Sequence, residues 1–113
     1  MATGAPGFTL TATPATAGGL RCRVEGVAGF ATATALLARG SAEFAGHAQV
    51  EVALEGIQSA DSAGLAVLLT WVERAQRAGQ ALKFTGLPAA LRGIARVCAV
   101  EELLRAAENP PRA

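Results

Sequence analysis

A change of hydrophobic period at residues 61 and 62 constrains the fold of this chain more than any other feature. Before it, residues 49–55 alternate polar and apolar side chains, which is the period of a half-buried β-strand. After it, apolar residues recur at helical spacing, at Leu65, Leu68, Leu69, Val72 and Ala75. The sequence therefore predicts a strand that passes almost directly into a helix, as in an α/β fold.

The other elements are predicted from the same two periods. Two alternating segments, 8–13 and 20–26, are joined by a turn rich in Gly and Pro and predict an antiparallel hairpin. Further strands are predicted at 48–54 and 81–85, and helices at 30–39, 62–78, 89–97 and 101–107. Gly40 is interpreted as the C-cap of the first helix. Because helices alternate with strands after the hairpin, we expect a small mixed four-stranded sheet with helices packed on it.

Length, composition and charge limit the possible classes of protein. At 113 residues the whole chain, 1–113, is expected to be one domain with flexible ends at 1–7 and 108–113. A hydrophobic content of 51% excludes a largely disordered chain, and a net charge of +1 does not favour nucleic-acid binding. No apolar run is long enough to cross a bilayer, and no targeting segment is visible. We therefore expect a cytoplasmic protein without direct membrane insertion, which reaches a membrane only through a partner.

Catalysis and cofactor binding are not expected. Cys22, Cys98 and the single His47 lack the spacing of a metal site, and buried thiols in a reducing compartment explain the cysteines. Ser62 follows Asp61, but no Gly-x-Ser-x-Gly elbow is present to activate it as the nucleophile of a hydrolase. The sequence predicts no catalytic residue, no cofactor and no metal.

Ser62 is predicted at the start of the second helix, where two compatible roles are open to it. As an N-cap, its hydroxyl would accept a hydrogen bond from a backbone N–H one turn into the helix, contributing about 1 kcal/mol. As a phosphorylation site, its phosphate would be favoured by the helix dipole and repelled by Asp61, and that repulsion could expel a partner. Gly64 likewise has two explanations, close approach by a partner or tight packing on the chain's own sheet.

The outer face of the second helix is predicted to be unusually apolar. At about 100° per residue, the Leu-rich stripe faces the sheet. The opposite face is formed by Ala63, Ala66, Val67, Thr70 and Arg74, with Trp71 on its flank. This composition is typical of a protein interface. The alternative is that another element of the same chain covers Trp71.

The order of elements resembles the STAS domain family, and one motif strengthens the resemblance. That motif stands at the third strand–helix junction and reads Asp61-Ser62-Ala63-Gly64-Leu65. The resemblance extends over about residues 50–104, whereas the N-terminal half matches in pattern only. Segments 61–69, 82–88 and 95–104 look most like the MlaB type, the STAS subunit of the phospholipid-trafficking ABC transporter.

The resemblance implies a non-enzymatic accessory subunit that binds the cytoplasmic ATPase of an ABC-type phospholipid transport system. The predicted partner-binding residues are Asp61, Ser62, Ala63, Ala66, Val67, Thr70, Trp71 and Arg74. The other branch of the family contains anti-sigma factor antagonists, which bind an anti-sigma factor kinase and switch by phosphorylation of the residue that matches Ser62. Because Ala63 stands where that branch often has a second serine, and because the first helix carries little charge, the sequence favours the transporter branch without excluding the other.

Overall fold

The computed structural model describes residues 7–15 and 18–108, and of residue 106 it describes the backbone only. The ends that the sequence predicts to be flexible lie outside these residues, except for Gly7 and Glu108.

The described residues form a sheet whose strands follow one another in chain order. The elements are β1 (Phe8–Pro14), β2 (Leu20–Ala28), α1 (Ala33–Phe44), β3 (Gln49–Ala60), α2 (Ser62–Ala78), β4 (Ala81–Thr85), α3 (Ala89–Val97) and α4 (Glu101–Glu108). The sheet order is β1-β2-β3-β4, with β1 antiparallel to β2 and the remaining pairs parallel. The predicted mixed four-stranded sheet with an N-terminal antiparallel hairpin is confirmed.

One face of the sheet carries the core, and this arrangement determines how the helices pack. Alternate strand residues point to this face and are buried, among them Leu10, Cys22, Val24, Val52 and Phe84. The residues between them point to the opposite face and are largely exposed and polar. An example is the ion pair of Arg21 with Glu51, at 3.3 Å across β2 and β3. Because the core lies on one side of the sheet, α1 and α2 pack beside each other there as well as on the strands.

The prediction that Gly40 ends the first helix is wrong. Helix α1 begins three residues later than predicted, at Ala33, and continues through Gly40 to Phe44. Gly40 is buried, and a Cβ atom at this position would overlap the indole ring of Trp71. The glycine therefore allows α2 to approach α1 closely, and it does not end the helix.

Strand β3 is longer than its alternating pattern predicts. Beyond Ala53, which pairs with Thr85 at the end of β4, β3 continues to Ala60 and pairs only with β2. Register shifts occur between β2 and β3 in this extension, so the strict alternation that identifies a strand in sequence is interrupted. The predicted bounds of α2, β4 and α3 agree with the structure, and those of β1, β2 and α4 agree within two residues.

Candidate functional site

The turn between β3 and α2 places an acid at the helix N-terminus. Asp61 has an extended backbone, and its Oδ1 accepts hydrogen bonds from the N–H of Ala63 at 2.8 Å and of Gly64 at 3.2 Å. Of the two roles open to Ser62, that of N-cap is wrong, because Asp61 already satisfies these N–H groups. Ser62 is the first residue of α2 and is exposed, and its hydroxyl takes no part in the cap.

The second oxygen of Asp61 connects the start of α2 to the loop before α1. Its Oδ2 accepts a hydrogen bond from the backbone N–H of Phe30 at 3.0 Å. The N–H of Phe30, together with those of Gly64 and Ala63, favours the charged carboxylate and lowers the pKa of Asp61 below its ordinary value. The site therefore presents an exposed negative charge at neutral pH.

The loop before α1 is held by a buried threonine. The Thr32 hydroxyl accepts from the N–H of Gly29 at 2.9 Å and lies 3.0 Å from the carbonyl oxygen of Val27, to which it donates. Gly29 is buried against the carboxylate, since a Cβ atom there would lie 2.9 Å from Oδ2 of Asp61. These contacts fix the backbone on both sides of Phe30, whose side chain is 86% exposed.

Gly64 packs against the chain's own sheet. A Cβ atom at this position would overlap the carbonyl oxygen of Ala28, the last residue of β2. The same carbonyl accepts a hydrogen bond from the N–H of Asp61 at 3.2 Å. Of the two explanations for this glycine, close packing on the sheet is the one that the structure shows.

The predicted outward apolar face of α2 is wrong for Val67 and Trp71. Their exposed fractions are 4% and 2%, because α1 lies against this side of α2. The Trp71 ring packs edge-on against the ring of Phe44, with centroids 5.1 Å apart, and its Nε1 lies 3.5 Å from the carbonyl oxygen of Leu37. The alternative reading, that another element of the chain covers Trp71, is the correct one.

The remaining predicted partner-binding residues are accessible to different degrees. Asp61, Ser62, Ala66 and Arg74 are exposed, whereas Ala63 and Thr70 are half-buried. The Thr70 hydroxyl donates to the carbonyl of Ala66 at 2.8 Å, one turn earlier in the helix. Arg74 lies towards the far end of α2 and donates to the hydroxyl of Ser41 at 2.7 Å. The structure thus brings Phe30 together with Asp61 and Ser62 and places Arg74 elsewhere.

Phe30 is absent from the predicted partner-binding residues, because the sequence predicts a helix over 30–39 whereas the structure places Phe30 in the loop before α1. A signal for the correct reading is present: Gly29 followed by Thr32 is a turn pattern that precedes a helix. We call the region formed by Phe30, Asp61, Ser62, Ala63 and Ala66 the candidate docking surface.

The described residues contain no group of three or more His, Cys, Asp or Glu side chains that could hold a metal ion. Burial, with a smaller contribution from Glu43, raises the pKa of the Cys22 thiol to about 11, so this group is a neutral thiol at pH 7. Cys22 is buried as expected, but the expectation of a buried thiol is wrong for Cys98, which is exposed near the end of α3. None of the helices in the described ranges has the length and apolar character that crossing a membrane requires.

Comparisons with known proteins agree with this architecture. A family model described as "Mlab, STAS domain" matches residues 12–105. Among solved structures, the chain is similar to a sulfate transporter family protein from Wolinella succinogenes, with 18% sequence identity and a TM-score of 0.60. That match covers 77% of this chain and 72% of the other, and at this identity it shows a shared fold alone. A comparison with curated proteins gave no match. Because the family model spans most of the chain, including the strand–helix motif, the chain belongs to the STAS domain family.

Proposed function

We propose that this protein is a non-enzymatic subunit that binds the cytoplasmic ATPase of an ABC-type phospholipid transport system. The observation that carries the proposal is the candidate docking surface, where an exposed aromatic ring, a charged carboxylate and an exposed hydroxyl converge at the start of α2. The description of the matching family model supports the transporter branch. The protein would act in the cytoplasm and reach the inner membrane through its partner.

Phe30 is the anchor of this surface. Large aromatic side chains contribute much of the binding energy at protein interfaces, because they bury a large apolar area on association. The turn that carries Phe30 is held by Thr32 and Asp61, so binding orders little additional backbone. A rigid, exposed ring of this kind fits an apolar pocket on a partner.

The residues around Phe30 supply a negative charge and allow the partner to approach the helix closely. The Asp61 carboxylate retains its charge at neutral pH and favours a partner with a complementary positive group. Ala63 and Ala66 have short side chains and allow another surface to come near the helix. Bound there, the subunit would stabilise one arrangement of the ATPase, provided that its affinity differs between the states of the enzyme.

The proposal is tested by measuring the affinity of purified variants for the purified cognate ATPase by calorimetry. Phe30→Ala is expected to weaken binding by about tenfold or more, and Ser62→Glu to weaken it because the longer side chain crowds the contact and its charge loses solvent there. Val97→Ala is the control, since Val97 is an equally exposed apolar residue on α3. Wild-type affinity of both Phe30→Ala and Ser62→Glu, or absence of any binding by the wild-type protein, would overturn the proposal.

One observation favours a second candidate function, that of an anti-sigma factor antagonist. The Ser62 hydroxyl is exposed and is not used in the helix cap, so it is available to a kinase. A phosphate at this position would be attracted by the helix N-terminus and repelled by the adjacent Asp61 carboxylate.

The two functions are distinguished by incubation with the cognate anti-sigma factor kinase and ATP, followed by mass spectrometry. Stoichiometric phosphorylation of the wild-type protein, absent in Ser62→Ala and accompanied by loss of kinase binding, would establish the antagonist. An unmodified protein that binds the transport ATPase would exclude it.

A further inference from the structure

A groove lies at the end of α2 opposite the candidate docking surface. It has a volume of about 430 Å³ and is formed by segments 41–48 and 71–80, where α1 and α2 both end. Volumes of this order are found in small-molecule sites. Arg74, which lines the groove, is twelve residues after Ser62 in α2 and therefore roughly 18 Å from it along the helix axis. The groove is therefore separate from the candidate docking surface.

Arg74 in the groove differs from the other arginines in the described part of the chain. Seven others form an ion pair with a carboxylate: Arg21, Arg23, Arg39, Arg77, Arg92, Arg96 and Arg105. Arg74 instead donates from Nη1 to the Ser41 hydroxyl at 2.7 Å. This neutral acceptor orients the guanidinium and leaves its positive charge uncompensated.

The other groups that line the groove favour a negatively charged ligand with an apolar part. His47 is the second titratable side chain of the lining, and no carboxylate belongs to it. The accessible apolar part of the lining is formed by Ala45, Ala48 and Ala78, and the rings of Phe44 and Trp71, 5% and 2% exposed, contribute only a small edge. A guanidinium can hold a carboxylate through two parallel hydrogen bonds.

Two helix C-termini lie at this groove, and they limit the negative charge that a bound ligand can carry. The C-terminus of a helix carries a partial negative charge, and two such ends lie here. The Gln80 amide reduces this effect by donating to the carbonyl oxygens of Phe44 at 2.9 Å and His47 at 2.7 Å. The remaining field disfavours a phosphate dianion more than a carboxylate.

We propose that this groove, the Arg74 groove, binds a small organic carboxylate with an apolar body. Arg74 holds the carboxylate, His47 lies in the same lining, and the apolar body contacts the alanine side chains and the exposed edge of Trp71. The inference does not depend on the identity of the protein partner.

The chain offers a built-in reporter for this site, because Trp71 is its single tryptophan. The fluorescence of the purified protein is titrated with cyclohexanecarboxylate, with cyclohexylmethanol as the neutral analogue and with inorganic phosphate as the dianion. We expect a saturable change with the carboxylate at millimolar concentration and at least about tenfold weaker binding of the other two. Calorimetry with the same three probes gives an independent readout.

Arg74→Gln is expected to weaken carboxylate binding by about tenfold or more. Arg77→Gln is the matched control, since Arg77 lies on the same helix, pairs with Glu73 and does not line the groove. Circular dichroism verifies that both variants are folded. Equal binding of the alcohol, wild-type affinity in Arg74→Gln, or no saturable binding by either method would overturn the proposal.

Discussion

The first turn and the third turn of α2 differ in what covers them. At the first turn, Asp61 binds the loop before α1 through hydrogen bonds, while Phe30 and Ser62 remain exposed. At the third turn, α1 lies over the helix and buries Trp71. In a sheet with its core on one face, neighbouring helices cover each other's sides. The side chains that remain exposed on this side of the sheet are therefore found mainly at the helix ends, as Phe30 and Ser62 are.

The largest expected effect tests whether Trp71 is packed in the core while Phe30 is exposed. Trp71→Ala removes a ring packed between Gly40 and Phe44 and is expected to lower the free energy of unfolding by about 3–5 kcal/mol. Phe30→Ala removes an exposed ring, and the expected change is within about 0.5 kcal/mol. Urea unfolding of both variants measures the difference. Similar losses in the two variants would show that Phe30 is packed and contradict the comparison.

A smaller effect tests how closely the first turn of α2 contacts the sheet. Gly64→Ala introduces a methyl group against the carbonyl of Ala28, and we expect a loss of about 1–3 kcal/mol in the free energy of unfolding. Gly93→Ala is the control, because Gly93 lies exposed within α3 and its added Cβ would have no atom within 4 Å. There the better helix propensity of alanine is expected to stabilise the protein by up to about 1 kcal/mol. Thermal unfolding of both variants measures whether Gly64→Ala lowers the stability and Gly93→Ala raises it. A stabilising Gly64→Ala would refute the close contact.

The smallest effect concerns the pH dependence of the first turn. The folded-state pKa of Asp61 lies below its ordinary value of 3.8, mainly because the Phe30 N–H binds its charged form. Its contribution to stability is therefore complete above the unfolded-state pKa and is lost as the pH falls through the lower folded-state pKa. Asp61→Asn should thus be less stable than the wild type at neutral pH, and the difference should shrink on acidification.

The pKa of Asp61 can be measured directly by NMR, because Asp61 is the single aspartate of the chain. The midpoint of its carboxyl titration is expected below 3.8 in the wild type and in Phe30→Ala, which keeps the backbone N–H. A midpoint at or above 3.8 would show that the Asp61 hydrogen bonds do not persist in solution.

Local sequence signals predict α2 well and α1 poorly. Helix α2 follows a cap-forming residue and ends at Gly79, whose φ of 68° places it in the left-handed region, so both ends have a local cause. In α1, Gly40 resembles the end of a helix, and its actual role depends on Trp71, 31 residues further along the chain. Such a contact between helices leaves no trace in the periodicity of either one.

Two details of the candidate site differ from the sequence prediction, namely the residue that caps α2 and the exposure of one side of that helix. Asp61 and Ser62 are both good cap residues, so local preference does not decide which of them caps α2. The helical wheel identified the stripe that faces the sheet and could not reveal that α1 covers Val67 and Trp71. A wheel describes one helix, whereas burial also depends on its neighbours.

The single carboxylate that spans the two loops has a consequence for motion. Asp61 accepts hydrogen bonds from the amide of Phe30, 31 residues earlier, and from two amides of its own helix. Release of the side chain breaks all three bonds at once, so the turn and the helix start loosen together. Amide hydrogen exchange at Phe30, Ala63 and Gly64 should then report a common opening step, and a partner that contacts either loop would slow exchange in both.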